Sequence, residues 1–504
     1  MWFTGTEHTL YPETRTCTNP HCTAHDQLLR LWELPTRVQV FTLRDGVRDA
    51  CAVHLTCRSC KTVYYPNYAV HDTIRQYYTG IPDYIQVSGH RYIESSVLAH
   101  FTTLSVLSWT SATNAAHIYR ESLARLGGDV QDEPRFQLRA SHTWDGFVLL
   151  ALLRDMERTG GVLQVPHGGH QKDRFTEAMR ARNERIRRSG QPEYAHWCTR
   201  CVRRVDDTDG ITRFVDCIIT DGIEMGRPCC SVHNCTGQLQ GCCLACRTGC
   251  RTCAAHAAVE EHHLQTGKAM FTLRTRLQRA QLAIPTDAID PSAPADVDLD
   301  GGPDDTCPSK PSEGNQRVRA RFGRRRTHNE QLIVRPCGII TARETFVGAE
   351  SLKHVAEMLE KKHLIPGSLP RFIFYDNNCG LYTYSKATGK DLHERAALPV
   401  DVFHWTCKHK KTDEACSVHC NPHNFPELLT DDNSWTFNSS RAEQTNVWFG
   451  GYHAIVREMG QVKYEFFLDE MILEKNELTR AKLETEGCMP SYRHDLRFTQ
   501  DVSV

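Results

Sequence analysis

FIFYD, residues 372–376, is an apolar run that ends on a carboxylate. This run predicts a short buried strand, so Asp376 stands where that strand ends. The stretch FVDCIITDG, residues 214–222, has the same form, because a β-rich run reaches Asp221 and then a turn glycine. Further along, Ser440-x2-Glu443 has the spacing of a helix start and places Glu443 in the first turn. Apolar spacing also predicts a strand near 332–342, a helix with apolar residues at 352, 355, 356 and 359, and a long helical segment through 452–476. The chain therefore carries two predicted strand-end aspartates followed by a glutamate on a helix.

These carboxylates are typical of a metal-dependent phosphoryl-transfer centre. Strand-end aspartates that converge with a glutamate on a helix form the acidic cluster of ribonuclease H-like nucleases and transposases. Hard oxygen ligands favour Mg²⁺ or Mn²⁺, and two such ions about 4 Å apart stabilise the attacking and leaving oxygens. Simpler interpretations exist, since Asp221 can open a turn with Gly222 and Asp376 can begin a loop. Glu443 can complete a capping box with Ser440.

Composition narrows the class of protein. The 504 residues are enough for two or three folded units, and the formal charge of −1 excludes a uniformly basic nucleic-acid coat. The longest apolar run, 147–153, predicts a buried helix. It is far shorter than the ~20 residues of a membrane-spanning helix, so we exclude a membrane protein. The N-terminal residues lack the basic and apolar segments of a secretory signal, and we expect an intracellular protein. In a reducing compartment, 23 Cys and 26 His point to zinc rather than disulfides.

The N-terminal cysteines come in two close pairs. Cys17-x4-Cys22 and Cys57-x2-Cys60 flank a strand-like segment at 37–43 and an Asp-Gly turn at 45–46. Two such pairs on neighbouring turns of a small sheet predict a zinc ribbon. The alternative is a set of buried free thiols, but that interpretation does not explain why the cysteines come in two close pairs.

Two further groups of cysteine and histidine predict additional zinc sites. The second group is too dense for a hydrophobic core, so metal must replace one there, in one site or two. Its candidate ligands are Cys198, Cys201, Cys229, Cys230, Cys235, Cys246, Cys250, Cys253 and His256. The third group should supply one site, from Cys407, His409, Cys416, His419, Cys420 and His423.

A change of composition marks a linker near the middle of the chain. Residues 283–314 hold seven Asp and one Glu against a single Lys, which predicts a disordered acidic linker. The segment RVRARFGRRR, residues 317–326, follows and is typical of a nuclear localisation signal or a phosphate-binding arm. The alternative is a solvated charge run. The candidate DNA-binding residues are Arg317, Arg319, Arg321, Arg324, Arg325 and Arg326.

A resemblance to a known family adds to these interpretations. Four segments resemble the Kyakuja-Dileera-Zisupton (KDZ) transposases: YDNNC (375–379), FHWTCKHKKTDEACSVHCNP (403–422), FNSSRAEQTNVWFGGYHAIVREM (437–459) and FFLDEM (466–471). Two others, LTCRSCKTVYYPNY (55–68) and ITDGIEMGRPCCSVHNC (219–235), resemble the fifth and sixth types of cysteine cluster associated with those transposases. The stretch GCCLACRTGC (241–250) is shorter than in the sixth type, which leaves its zinc pairing open and suggests a decayed or domesticated copy.

The resemblance implies an α/β fold, a ribonuclease H-like DDE transposase core with zinc-binding cysteine-cluster modules and an N-terminal zinc-ribbon-like domain. On that pattern Asp376 is the second acidic residue, Glu443 the third and Asp221 the first. Asp216 lies in the same strand, and we prefer Asp221 because a strand-end carboxylate can face a metal ion. The expected domains are a cysteine-cluster domain (1–120), a helical region (121–197), a first core segment with the second cysteine cluster (198–265), the linker with its Arg-rich run (283–330) and a core with a Cys/His insertion (331–480).

The leading hypothesis is a KDZ-type transposase, or a transposon-derived protein, that cleaves and transfers DNA strands with Mg²⁺ or Mn²⁺ and carries structural Zn²⁺. The alternative is a catalytically inactive, zinc-rich DNA- or chromatin-binding protein derived from a transposase. A RING-like ubiquitin ligase would explain the cysteines but not the segments around Asp376 and Glu443. We expect DNA as the partner and the nucleus as the location, and we leave a homo-oligomer open.

Overall fold

A computed structural model describes residues 8–123, 137–206, 212–230, 244, 246–247, 250–262, 264–265, 327, 329–347, 350–409, 412–488 and 490–492. The chain divides into two compact units. The first comprises Met1–Glu184 and Phe466–Glu474, and the second comprises Arg185–Glu465 and Lys475–Val504. Within the described ranges, no helix has the length and apolar character needed to cross a membrane.

The first unit is built on two sheets. Its strands are β1 (His8–Leu10), β2 (Arg30–Leu31), β3 (Thr36–Phe41), β4 (Val47–Ala52), β5 (Leu55–Thr56), β6 (Val63–Tyr64), β7 (Tyr68–His71), β8 (Ile74–Tyr77), β9 (Tyr84–Ser88), β10 (Arg91–Glu94) and β11 (Gln164–Pro166). One sheet has the strand order β1-β4-β3-β10-β9, and the other has the order β11-β8-β7-β6-β5-β2.

The hairpin of β3 and β4 forms where the sequence predicts it. Gly46 turns the chain with φ at 69°, a conformation that glycine adopts without steric cost. Thr42 Oγ1 donates to the Gly46 carbonyl at 2.8 Å and closes the turn. Alternate residues Val38 and Val40 are buried, so one face of the hairpin packs into the core of the unit.

Four helices accompany these sheets: α1 (Ser95–Ser108), α2 (Ala112–Ile118), α3 (Ala140–Thr159) and α4 (Thr176–Ser189). The apolar run 147–153 lies in α3, and six of its seven residues, Val148 to Leu153, are buried, as predicted. On the basic helix α4, the Arg182 side chain is only 1% exposed and pairs with Asp155 at 3.6 Å and with Glu470. Arg182 therefore stabilises the interior of the first unit and is not exposed to a phosphate backbone.

The second unit contains the remaining elements. Its strands are β12 (His196–Trp197), β13 (Val202–Asp206), β14 (Thr212–Ile223), β15 (Asn329–Val334), β16 (Ile340–Phe346), β17 (Phe372–Phe374) and β18 (Ser491–Tyr492). Its helices are α5 (Leu352–Lys362), α6 (Asn378–Ala387), α7 (Leu392–Arg395), α8 (Val402–Lys408), α9 (Arg441–Gly450), α10 (His453–Val456) and α11 (Gln461–Thr485). Within α11, Phe466–Glu474 belongs to the first unit.

The main sheet of the second unit is mixed. β14, β15 and β16 are antiparallel neighbours, whereas β17 runs parallel to β14. Ile219 pairs with Val334 of β15 and with Phe374 of β17, so these two strands lie on opposite edges of β14. The local order is therefore β16-β15-β14-β17, and a parallel bridge from Phe372 to Ala397 continues it beyond β17.

Different helices contact β14 and its neighbours. Ile218 and Ile373 pack with Val355 and Leu359 of α5 in one apolar cluster, at the helical spacing that the sequence predicts. The helix α9 contacts β14 and β15. Successive residues of a strand point to opposite faces, so Asp216, in step with Ile218, lies on the α5 face. Asp221 points to the other face.

Two sequence expectations for the second unit are wrong. The segment from Leu332 to Ala342 was expected to form one strand, but it contains the end of β15, a turn and the start of β16. The turn closes with hydrogen bonds from Arg335 N to Ile339 O and from Gly338 N to Arg335 O, both 2.8 Å, and Gly338 has φ at 99°. The single long helix expected through 452–476 is divided into α10 and α11, and α11 is N-capped by Gly460.

Candidate active site and metal centres

Asp376 follows the end of β17, as predicted, whereas Asp221 lies within β14, which continues to Ile223 instead of turning at Gly222. Cys217 pairs with Phe372, and Ile219 pairs with Phe374. Asp221 lies two residues beyond Ile219, and Asp376 lies two residues beyond Phe374, in the turn that follows β17. Both aspartates therefore lie near the same end of the β14–β17 strand pair.

The carboxylates in this region change the pKa of a buried tyrosine, Tyr375. Tyr375 donates its hydroxyl proton to Glu350 Oε1 at 2.9 Å. Burial raises the pKa of Tyr375 well above its usual value, and the charges of Glu350, Asp376 and Asp221 raise it further. Glu350 is thus a third carboxylate near the pair. The sequence pattern gave no sign of it, because Glu350 lies in the loop that precedes α5.

Asp216, the other candidate for the first acidic position, has a different environment. Its Oδ2 lies 3.3 Å from Arg335 Nη1, and its Oδ1 accepts a hydrogen bond from the Arg371 backbone at 3.0 Å. The Arg335 side chain is only 7% exposed, so Asp216 neutralises a buried cation. These contacts favour Asp221 as the residue near Asp376.

Glu443 lies in the first turn of α9, as predicted, but its partner is not Ser440. The Ser440 side chain caps no backbone N–H, and its hydroxyl instead donates to Asp401 Oδ2 at 3.3 Å. Glu443 Oε1 lies 3.2 Å from His404 Nδ1, which is also 3.2 Å from Asp401 Oδ1. The ligand atoms of Asp401, His404 and Glu443 all lie within 4.8 Å of one another.

Asn446 joins this helix to the first aspartate. Its side-chain amide donates to Asp221 Oδ2 at 2.9 Å. Glu443 precedes Asn446 by three residues, so both occupy the same face of α9. The helix therefore brings Glu443 within one turn of the residue that contacts Asp221. Carboxylate oxygens in this arrangement suit Mg²⁺ or Mn²⁺.

The N-terminal cysteine pairs converge in the first unit. All four sulfurs lie within 4.8 Å of one another, with Cys17–Cys60 and Cys22–Cys57 separations of 3.7 Å. Such separations exceed the ~2.05 Å of a disulfide and match the ~3.8 Å between two sulfurs bound to one tetrahedral zinc. Tyr64 donates its hydroxyl to Cys17 Sγ at 3.6 Å. The donor set fits a structural zinc ion.

The second predicted group separates into two places. Cys198 and Cys201 lie with His196 and Cys337, whereas Cys230 and Cys253 lie 3.4 and 3.3 Å from His256 Nδ1. Of the other predicted ligands, Cys229 is buried, its carbonyl accepts from the Cys246 thiol at 3.0 Å, and Cys250 is half-buried. Cys235 lies outside the described residues. The sequence missed His196 and Cys337 because Cys337 comes from a distant segment.

The third predicted group gathers around a different cysteine. His409 Nδ1 lies 3.5 Å from Cys379 Sγ and 3.4 Å from Cys416 Sγ. Cys407 is exposed and contacts Thr406, His419 stacks on Tyr382, and Cys420 is buried in the same apolar cluster as Cys379. Cys379 was visible in the YDNNC motif, three residues after Asp376, but was not counted as a ligand.

The group formed by Cys379, His409 and Cys416 adjoins the acidic residues. His409 Nε2 donates to the Asp376 backbone carbonyl at 2.9 Å. Hydrogen bonds with the Cys416 thiol and with His409 lower the pKa of Cys379 to about 5, against the opposing effect of burial. A thiolate at Cys379 is the form that binds a soft metal ion.

The predicted DNA-binding arginines at 317–326 lie outside the described residues.

One comparison with known proteins bears on these sites. Residues 5–123 match the family model described as a CxC5 like cysteine cluster associated with KDZ transposases. The match includes Cys17, Cys22, Cys57 and Cys60 and confirms the predicted family resemblance over this part of the chain. No curated protein and no solved structure matches the chain. The resemblance of 219–235 to the sixth type of cluster stays a prediction.

Proposed function

We propose that the chain is a transposon-derived protein whose second unit is a ribonuclease H-like core for metal-dependent DNA strand cleavage and transfer. The observation that carries the proposal is that Asp221 and Asp376 both follow the Ile219–Phe374 pair by two residues and both raise the pKa of the buried Tyr375. The strand order β16-β15-β14-β17, with only β17 parallel to β14, supports the same core. The CxC5-like cluster at 5–123 supports the transposon origin.

The reaction class is phosphoryl transfer in two steps. In the first step, a water oxygen attacks a DNA phosphorus, the P–O3′ bond breaks, and a free 3′-hydroxyl results. In the second, that hydroxyl attacks a phosphorus of target DNA and displaces another 3′-oxygen. Bound Mg²⁺ or Mn²⁺ would supply Lewis acidity and charge neutralisation for both steps.

The chain's own residues would position the acidic ligands. Asp221, Asp376 and Glu443 would hold the divalent ions. Asn446 fixes the orientation of the Asp221 carboxylate through its amide N–H, and His404 does so for Glu443. The soft-ligand groups fit zinc, which would stabilise the fold.

Replacement of Asp376 by Asn tests this function. The change removes one charge with little change in shape. We expect the wild type to nick supercoiled DNA with Mg²⁺ or Mn²⁺ and to melt at higher temperature with Mn²⁺. Asp376→Asn should lose nicking and most of that stabilisation but keep its zinc, whereas Asp391→Asn, an exposed control in the same unit, should behave as wild type.

The binding-only alternative has its own supporting observation. The carboxylates of Asp221 and Glu443 already contact Asn446 and His404, an arrangement that can persist without catalysis. If the wild type neither nicks DNA nor gains stability with Mn²⁺ while zinc is retained, the protein is a zinc-rich DNA- or chromatin-binding derivative. Under either function we propose that the arginines at 317–326 contact DNA and that the protein is located in the nucleus. We also propose to test whether the protein forms homo-oligomers.

A further inference from the structure

Four buried side chains converge at one place in the second unit, away from Asp221. They are His196 and Cys198, Cys201 just before β13, and Cys337 in the turn between β15 and β16. Their ligand atoms all lie within 4.8 Å of one another. From this geometry we propose a structural zinc site with three cysteine ligands and one histidine ligand, which goes beyond the proposed catalytic function.

The distances fit tetrahedral coordination. Cys198 Sγ and Cys201 Sγ lie 3.5 Å apart, and Cys337 Sγ lies 3.4 Å from His196 Nε2. Ligands at about 2.3 Å for sulfur and 2.0–2.1 Å for nitrogen around one tetrahedral ion would lie roughly 3.5–3.8 Å apart. The Cys198–Cys201 separation is too long for a disulfide, whose sulfurs lie about 2.05 Å apart.

The backbone around Cys198 has the shape of a metal-binding turn. Cys201 N and Val202 N both donate to the Cys198 carbonyl, at 3.0 and 3.1 Å. The Cys198 N–H points at Cys201 Sγ from 3.1 Å. The turn thus presents both sulfurs of the Cys-x2-Cys pair to the same side.

The orientation of His196 also suits a ligand. Its side chain is fully buried, and its Nδ1 faces Glu193 Oε2 at 3.8 Å, while Nε2 faces the sulfurs. Tyr492 of β18 holds Glu193 by donating to Oε1 at 3.1 Å. The 3.8 Å separation is longer than a hydrogen bond, so Glu193 acts on Nδ1 through its charge, while Nε2 remains the nitrogen that faces the sulfurs.

The four ligands come from segments that are distant in sequence but adjacent in the sheet. Val202 pairs with Asp216, and Cys337 follows β15, whose last residue pairs with Ile219. Five positions along β14 separate Asp216 from Asp221, or roughly 17 Å. The zinc would therefore join the start of β13 to the β15–β16 turn without contacting the acidic residues.

Zinc content of the full-length protein tests the site. Cys337→Ser should lower zinc by one ion per chain, because serine is a poor zinc ligand. Cys488→Ser is the matched control, since Cys488 packs against the same apolar cluster but is not one of the four. His196→Cys should keep the zinc, because four thiolates also bind it tetrahedrally, whereas His196→Ala should lose it. A folded Cys337→Ser protein with wild-type zinc content would overturn the proposal.

A measurement on the wild type decides the case in which Cys337→Ser does not fold. A chelator is added, and zinc release is followed together with alkylation of individual cysteines by mass spectrometry. If Cys198, Cys201 and Cys337 become reactive together as one zinc leaves, the site is supported. If their alkylation is independent of zinc release, they are free buried thiols and the proposal fails.

Discussion

Replacing Asp216 and Asp221 separately should distinguish a structural aspartate from a catalytic one. Asp216 and the Arg335 guanidinium are 3.3 Å apart, and their side chains are 20% and 7% exposed. At an effective dielectric constant of about 20, this attraction amounts to about 5 kcal/mol before hydration is counted. Asp216→Ala would leave a buried cation uncompensated, which typically costs 3–5 kcal/mol.

The partial exposure of Asp216 favours the lower end of that range, about 3 kcal/mol. The second unit has about 310 residues, and with an unfolding entropy of about 2.1 cal/mol/K per residue this cost corresponds to a fall in melting temperature of about 5 °C. Asp221→Asn keeps an oxygen that can accept from Asn446 and relieves repulsion with Asp376. We therefore expect it to change the free energy of unfolding by less than about 1 kcal/mol while nicking and the stabilisation by Mn²⁺ are lost.

The assay combines thermal unfolding with plasmid nicking in Mn²⁺ on the same zinc-loaded preparations. The matched control is Asp391→Ala, whose carboxylate is 61% exposed and contacts Arg395 at the surface. A stable Asp216→Ala protein that no longer nicks DNA, together with an active Asp221→Asn protein, would refute the reasoning. It would make Asp216 the first acidic ligand.

Three further predictions concern other parts of the chain. Cys60→Ser should lose one zinc per chain and unfold the first unit's cysteine cluster, whereas Cys51→Ser should keep its zinc; equal zinc in both would exclude the N-terminal site. Changing Arg324, Arg325 and Arg326 to Ala should weaken DNA binding and reduce the slope of log affinity against log salt by about 2.7, and an unchanged slope would remove the run from the DNA interface. Burial lowers the pKa of His363 to about 4. As pH falls, the unfolded chain therefore takes up a proton at this histidine before the folded chain does. Stability of up to about 3 kcal/mol, fully present above pH 6.5, should be lost between pH 6.5 and 4. In urea unfolding, His363→Gln should flatten this loss, and an unaltered pH profile would contradict the prediction.

Local sequence patterns predicted local structure well. The turn at Gly46, the buried helix α3, the spacing of α5 and the strand β17 all follow from apolar periodicity and turn residues over short stretches. The prediction failed at Leu332–Ala342, where two apolar runs are separated by the turn residues Arg335, Pro336 and Gly338. Arg335 and Gly338 make that turn, and their hydrogen bonds cannot be inferred from hydrophobicity alone.

Metal-ligand sets were harder to predict because they depend on contacts between distant segments. Cys17 and Cys60 could be paired from sequence, since both belong to close pairs within one small sheet. Cys337 has no neighbouring cysteine, and only the pairing of β14 with β15 brings it to Cys198. Cys379 was missed for a different reason. It lies in the first turn of α6, close to Asp376, and the YDNNC motif was used only to predict the carboxylate.

A zinc ion bound by Cys379, His409 and Cys416 would lie next to the acidic residues. This proximity affects how an experiment that removes metal is interpreted. A neutral imidazole has one N–H, and the hydrogen bond from His409 Nε2 to the Asp376 carbonyl uses it. Nδ1 is then the lone-pair nitrogen, and it faces both sulfurs. Because zinc bound there would hold the backbone of Asp376, a strong chelator would disturb that residue even if Mg²⁺ were returned afterwards. Loss of nicking supports a catalytic divalent-ion site only when Mn²⁺ is withdrawn and restored while zinc content stays constant.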